Sequence, residues 1–485
     1  MAINLLNRDS TAVGTTGERL LYHLSLDLSL SKICHDGAKR KYFLDVLASP
    51  LADADSILYR QNILRDFLAY PELLAKMIAL AEEFESIRAK WNEYRRSKYR
   101  GMSDQALKTA TVLAQNQCSV SAMTLRALLF FIRDLSTLLD EYDSESEFLT
   151  ELLSESKALI QNEAFSRLIT VCGELEYRPD MNPVDLRVTL DEFGDINSAE
   201  LIDHKYILVT DPELKQKRSW LKKQMPERYP CERVYLTRAD AETLFPSPFY
   251  ELANAIDDIV KQIFDRYAGI KEELQFYEVA AEYCSFLSEK GANYIFPNFT
   301  QDGTTSIEKL YDLQLLVTSE SISDIVPHSL ISTDNTERIV VYGDNGSGKT
   351  SFLRSITTMQ LLAQAGLPIP SESAQLRIYS AIITQFAESE KEFEEGNDAG
   401  RFEQEVREIA ALLNIAPPHS FVILNETFQT TAYDEGAEGI YHILRYLSSE
   451  GISYIIATHM HQLLEMLGDE VVSLHVNSEH ELERE

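Results

Sequence analysis

Cysteine is scarce and scattered in this chain. Its 485 residues hold five, Cys34, Cys118, Cys172, Cys231 and Cys284, an odd number with no C-x-x-C pair. That pattern argues against a disulfide framework and against a zinc site, and leaves buried or free thiols. Long apolar runs are missing too. Stretches such as Ala127-Leu128-Leu129-Phe130-Phe131-Ile132 fall far short of the ~20 residues a membrane helix needs. Met1 to Thr16 lacks the basic flank and apolar core of a signal peptide. A cytoplasmic protein without a membrane partner is expected. Positive charge is in deficit: 45 Lys and Arg stand against 77 Asp and Glu, a net charge of −32. A summed field of that sign repels phosphate, so any nucleic-acid contact needs a local basic surface.

What is present divides the chain in two. An apolar fraction of 45% is that of a globular protein, and a prior of roughly 100–200 residues per domain suggests about three units. From about Ala38 to Gly291, Gly and Pro are sparse and the periodicity is helical; after Asn298, strands alternate with helices. After Pro248 the apolar positions Ile256, Ile259, Ile263, Tyr267, Ile270, Leu274, Tyr277, Ala281 and Cys284 form one stripe spaced by threes and fours. The stripe predicts a single rod of some forty residues, about 60 Å long, that needs a partner helix. Glu147 to Cys172 is its natural antiparallel mate. Between them, about Tyr177 to Phe245, Pro179, Pro183, Pro212, Pro226 and Pro230 break the helical pattern. This insertion carries Lys215, Lys217, Arg218, Lys222, Lys223, Arg228, Arg233 and Arg238 with Trp220, Tyr229 and Tyr235 interleaved. Basic and aromatic residues together suit a surface that grips a nucleic-acid backbone, and a solvated charged helix accounts for the composition equally well.

The most specific signal is Gly343-Asp344-Asn345-Gly346-Ser347-Gly348-Lys349-Thr350, which fits G-x-x-x-x-G-K-[ST]. Ile339-Val340-Val341-Tyr342 before it reads as a buried strand. Ser351 to Ala363 after it reads as a helix with Phe352, Ile356, Met359 and Ala363 on one face. Glycines let successive N–H groups turn around a phosphate, Lys349 reaches the terminal phosphates, and Thr350 offers a hydroxyl to Mg²⁺. A phosphate loop also needs a carboxylate at the end of a buried strand. Ser420-Phe421-Val422-Ile423-Leu424 is followed directly by Asn425-Glu426. Glu426 is the candidate to orient the attacking water, and Asn425 stands where an Asp usually supports Mg²⁺, contributing no charge there. Tyr454-Ile455-Ile456-Ala457-Thr458 is another buried strand, ending in His459, which is placed to sense a γ-phosphate.

Taken together these residues resemble the MutS family, the ABC-type ATPases of DNA mismatch repair and recombination. The loop and its extension to Gly366-Leu367-Pro368-Ile369-Pro370 carry the resemblance, with Ile382-Ile383-Thr384-Gln385, the F-x-x-E of Phe402 to Glu405, Asn425-Glu426 and Ala457-Thr458-His459. Leu47-Ala48-Ser49-Pro50, Ile57 to Leu64 and Pro71-Glu72-Leu73 look like the opening of the family's helical core. The resemblance implies a multidomain protein: an N-terminal segment (1–40), an all-α core with a first lever helix (41–176), an inserted α/β or β clamp-like segment (177–245), a returning lever helix (246–298) and an α/β P-loop (ABC-type) ATPase domain (299–485). It implies ATP and Mg²⁺ at a dimer interface, in a homodimer or paired heterodimer that clamps DNA. Gly343 to Ser351 would bind the nucleotide, and His328, in Val326-Pro327-His328, would border its base.

Departures from the family pattern narrow the expectation. Only about forty residues precede the core, so mismatch-reading and connector domains are not expected. Phe249-Tyr250-Glu251 mimics the mismatch-reading F-x-E but begins a helix. Gly400 or Arg401 displaces the signature Ser, and little chain follows Val476. The expected function is an ATP-dependent protein that binds duplex or branched DNA by shape rather than by mismatch. The alternative is a nucleotide-gated scaffold with weak hydrolysis, to which DNA is incidental.

Overall fold

The computed structural model describes residues 3–8, 13–16, 19–97, 107–176, 185–190, 196–203, 248–300, 304–332, 337–386, 398–428 and 433–484. Lys215, Lys217, Arg218, Lys222 and Lys223 lie outside these residues. The chain falls into two compact units. One comprises Met1–Ile3, Ala79–Glu141 and Leu152–Ala268; the other comprises Asn4–Ile78, Tyr142–Glu151 and Gly269–Glu485.

Helices dominate the described residues of the first unit. Pro248–Arg266 packs along Leu107–Asp140, and each buries one helical face: Leu125, Leu128, Phe131, Ile132 and Leu135 on the longer helix, Ala253, Ile256, Val260 and Phe264 on the shorter. The rings of Phe84, Trp91, Phe131, Phe264 and Tyr267 interlock with centroids 5.0–5.8 Å apart, a spacing that adds aromatic attraction to the area buried. Ser121 Oγ donates to the buried Asp257 Oδ1 at 2.5 Å, so the carboxylate between the helices is satisfied. Part of the insertion is β structure, an antiparallel pair of Asp185–Leu190 and Ile196–Asp203.

Two expectations are corrected here. The stripe after Pro248 is not one rod but two helices, Pro248–Arg266 and Ile270–Glu289. Gly269 between them sits at φ +86°, a left-handed conformation that glycine adopts without the steric cost of a Cβ. Threes and fours continue across the break although the first helix buries Ala253, Ile256, Val260 and Phe264 and leaves Ile259 and Ile263 of the stripe half-buried, so the stripe itself does not encode the interruption. The mate of Pro248–Arg266 is also different. It lies along Leu107–Asp140, while the segment expected to pair with it divides into Glu147–Gln161 and Glu163–Glu176. Asn162 marks that division, its Oδ1 accepting from Ala164 N at 2.9 Å and capping the second helix.

The second unit is built on a seven-stranded sheet. Its order is Thr15–Thr16, Ala381–Phe386, Phe421–Asn425, Ser453–Thr458, Arg338–Tyr342, Val472–Val476 and Leu482–Arg484, parallel throughout except for the last pair. The inner strands are buried on both faces, which is why they read as near-continuous apolar runs rather than alternating ones. Lys349–Gln364 is buried on nearly all sides, and Tyr433–Ser449 packs Ile440, Leu444 and Leu447 into the sheet's core. A second sheet has the order Asn298–Phe299, Ser373–Leu376, Thr305–Leu310 and His328–Ser332. Gly37–Leu47 and Ala54–Ala69 pack against Ile270–Glu289 in this same unit. No helix among the described residues is long and apolar enough to cross a membrane.

Polar side chains pin the N-terminal residues to these helices. Buried Arg60 donates from Nε to Leu6 O at 2.5 Å, from one terminal nitrogen to Asn7 Oδ1 at 3.0 Å, and from the other to Ala365 O at 3.2 Å. Tyr59 and Tyr277 hydroxyls donate to Asn4 O and Leu5 O. Leu5 N donates to Glu273 Oε2 at 2.6 Å, and burial pushes the Glu273 carboxyl up to about 7. The folded state therefore binds a proton more tightly than the unfolded chain, and stability falls as pH rises from the ordinary carboxyl value to about 7. Denaturant unfolding at pH 5 and pH 8 should show a loss of up to about 2 kcal/mol from this group. Glu273→Gln should remove that part of the pH dependence; an unchanged slope would discount the burial.

Candidate nucleotide-binding site

Strand Arg338–Tyr342 ends at the loop, and helix Lys349–Gln364 starts where the loop finishes. Gly343, Gly346 and Gly348 all have positive φ, at +147°, +85° and +109°. Gly343 is also a close approach: a Cβ there would lie 2.6 Å from Val476 O and 3.1 Å from Ser347 Oγ. These conformations make a concave nest of backbone N–H groups, and the helix start adds partial positive charge. Asp344, Asn345 and Gly346 are exposed, whereas Ser347 and Lys349 are buried. Lys349 Nζ donates to Gly343 O at 2.8 Å and Asp344 O at 2.9 Å, and lies 3.8 Å from Glu426 Oε1. Thr350 Oγ1 donates to Asn425 Oδ1 at 3.2 Å; Ser351 follows in the first helical turn.

Sheet register brings the other parts level with the loop. Asn425 pairs with Phe386 on one side and Ala457 on the other, and Thr458 pairs with Tyr342. His459 follows Thr458 directly. Glu426 leaves the strand at φ +54°, its N–H donating to Ala457 O at 3.0 Å. Phe428 is left-handed too, at φ +61°. Thr427 Oγ1 donates to Gln385 Oε1 at 2.6 Å and Phe428 N to Glu405 Oε2 at 3.0 Å. Gln385 and Glu405, read from the sequence only as parts of a strand and a signature helix, thus hold the turn that presents Glu426. Nothing in their local patterns announces this, because both partners are distant in sequence.

His328 opens its strand and is buried, with its ring edge-on to Phe352 at 5.2 Å. Burial pushes its imidazole down to about 4, and the nearby His480 adds to the shift. It is neutral at pH 7. Two further histidines, unassigned by sequence reasoning, lie here: His475 packs on Tyr342 with centroids 5.0 Å apart, and His480 Nδ1 lies 2.5 Å from Ser347 O.

The arrangement suits a polyphosphate. The nest and Lys349 supply positive charge, Thr350 and Asn425 supply oxygens, and Glu426 supplies the nearby carboxylate. Among the described residues no group of three or more His, Cys, Asp and Glu could hold a metal by itself. Mg²⁺ here would therefore lean on Thr350, Asn425 and the phosphate oxygens of its ligand.

Strand, glycine loop and buried helix at the carboxyl edge of a parallel sheet have the form of a nucleotide-binding domain. The family described as MutS domain V matches residues 339–484, and that described as MutS2 N-terminal domain matches residues 52–290. Proteins named DNA mismatch repair protein MutS share the sequence. That of Nostoc punctiforme is 31% identical over 188 residues, 36% of this chain and 21% of its own length. That of Synechococcus elongatus is 29% identical over 267 residues, 50% and 29%, and that of Bacillus subtilis 25% over 233 residues, 47% and 26%. The chain belongs to the MutS family. It spans less than a third of the length of these relatives.

Asn425→Asp places a charge where a neutral amide now meets the Thr350 hydroxyl. The Mg²⁺ concentration for half-maximal nucleotide binding should fall about tenfold, since an added carboxylate near a hard cation strengthens its site. A magnesium titration at fixed nucleotide measures it, and an unmoved midpoint would remove Asn425 from the metal role.

Proposed function

We propose that this protein is a cytoplasmic MutS-like ATPase that clamps duplex or branched DNA by shape and works as a homodimer or paired heterodimer. The observation that carries the nucleotide part is the meeting of Lys349, Thr350, Asn425 and Glu426 at one sheet edge. Family membership and relatives named for DNA mismatch repair support the DNA part.

In this reading Lys349 exchanges its bonds to Gly343 O and Asp344 O for phosphate oxygens, and the loop N–H groups bind the remaining charge. Thr350 and Asn425 would hold Mg²⁺, which when bound would supply charge neutralisation at the phosphates. Glu426 would orient a water for in-line attack, and His459, directly after the end of its strand, would sense the γ-phosphate. His328 borders the base as a neutral imidazole. Asn425 contributes no negative charge to the metal, so slow turnover is expected.

ATP hydrolysis measured with and without duplex and branched DNA tests the whole reading, and neither hydrolysis nor nucleotide affinity responding to any DNA would sink it. Lys349→Ala should abolish binding or turnover. Glu426→Gln should bind ATP yet lose at least about 100-fold in turnover, the scale of a lost general base; normal turnover would displace Glu426 from that role.

Neutralising Lys215, Lys217, Lys222 and Lys223 together should weaken DNA binding and flatten its salt dependence, by a slope of up to about four. Unchanged DNA binding would favour the nucleotide-gated scaffold instead.

A further inference from the structure

We infer that His480 is a positioning residue of the phosphate loop, holding the Ser347 carbonyl outward so that the Gly348 N–H faces the bound phosphate. This rests on the nucleotide reading above and adds to it a side chain from the far end of the domain.

His480 lies in the turn between strands Val472–Val476 and Leu482–Arg484. Its Nδ1 is 2.5 Å from Ser347 O. A carbonyl oxygen only accepts, so Nδ1 carries the proton and donates. Among the described residues every peptide bond is trans, and across a trans peptide the C=O and the following N–H point in opposite directions. Fixing the Ser347 oxygen on the hairpin side therefore turns the Gly348 N–H to the other side, toward the concave face of the loop. The ring packs directly over the loop: a Cβ on Gly348 would lie 3.4 Å from Nδ1. At the loop's other end, Val476 O closes on Gly343. One hairpin thus fills the space that a side chain at either Gly343 or Gly348 would need.

The turn itself is built to present this ring. Asn477 Oδ1 accepts from Glu479 N at 2.9 Å and Glu481 N at 3.0 Å, and His480 N donates to Asn477 O at 3.1 Å. Asn477 Nδ2 donates to Glu483 Oε1 at 2.9 Å. His480 has φ +65°, where glycine or asparagine would sit with less strain. What histidine adds at this position is the bond to Ser347.

That strain supplies the test. His480→Gly removes the imidazole and relaxes the backbone. His480→Asn keeps an N–H donor three bonds from Cα, as Nδ1 is, and tolerates the left-handed conformation. Calorimetric titration with Mg·ADP should show His480→Gly weakened about tenfold, the scale of one misaligned charge-assisted hydrogen bond. His480→Asn should stay within about threefold of the parent on the same scale. Thermal unfolding without nucleotide should be unchanged or raised in His480→Gly. The inference is overturned if His480→Gly binds Mg·ADP as tightly as the parent, if His480→Asn is as weak as His480→Gly, or if His480→Gly unfolds at lower temperature in step with its weaker binding. A parent that binds no Mg·ADP would instead overturn the nucleotide reading itself.

Discussion

The site depends on the register of the parallel sheet. Tyr342, Asn425 and Thr458 end three neighbouring strands within one residue of the same level, Thr458 opposite Tyr342 and Asn425 opposite Ala457, and each is followed by a residue of the proposed site: Gly343, Glu426 and His459. Because side chains alternate across a strand, a slip of one residue would send Asn425 to the opposite face and break its bond with Thr350. Burial on both faces fixes this register only if several strands agree, and the pairings on either side of Phe421–Asn425 do agree. The geometry of a handful of polar atoms is thus set by contacts among Ile, Val, Leu and Phe that take no part in the chemistry.

The helix behind the loop is held at both ends by different physics. At its start, backbone N–H groups and Lys349 concentrate positive charge, and Lys349 satisfies its own donors on loop carbonyls. At its finish, the Arg60 guanidinium donates to Ala365 O, placing a cation where the helix dipole is negative. Burial lowers Arg60 to about 10, so it stays charged at neutral pH and its bonds to Leu6, Asn7 and Ala365 persist. The same side chain ties the N-terminal residues to the far end of the phosphate-loop helix. A shift along the helix axis would be felt at Leu6 and Asn7 as well as at the loop.

Much of this was legible in the sequence, for a local reason. The loop motif, the β-branched strand before it, the helix after it and Asn425-Glu426 at a strand end are short-range patterns with one structural reading each. The helix break at Gly269 was not legible, because apolar spacing continues across it and one glycine in a long stripe is compatible with either outcome. Nor was the pairing of Pro248–Arg266 with Leu107–Asp140, since a 3.6-residue stripe says that a face is covered and not by which helix. Gln385, Glu405 and His480 act through bonds to residues 23 to 133 positions away, and no window of sequence contains both partners.

Backbone strain marks where these long-range contacts converge. Six described non-glycine residues have positive φ, and three of them belong to the site's surroundings: Glu426 lies beside Lys349, Phe428 is two residues further on in the same turn, and His480 lies against the loop. Such conformations cost about 1–2 kcal/mol each, so they persist only where the surroundings over-determine them. Each of the three has a backbone N–H with a named acceptor: Ala457 O, Glu405 Oε2 and Asn477 O. The acceptors come from three separate segments of the same compact unit. The strained Glu426, directly after the strand's end, has its carboxylate 3.8 Å from Lys349 Nζ, and the strained His480 has its ring against the loop. The fold thus spends part of its stability on fixing positions, and those it fixes are of the carboxylate beside Lys349 and of the ring against the Ser347 carbonyl.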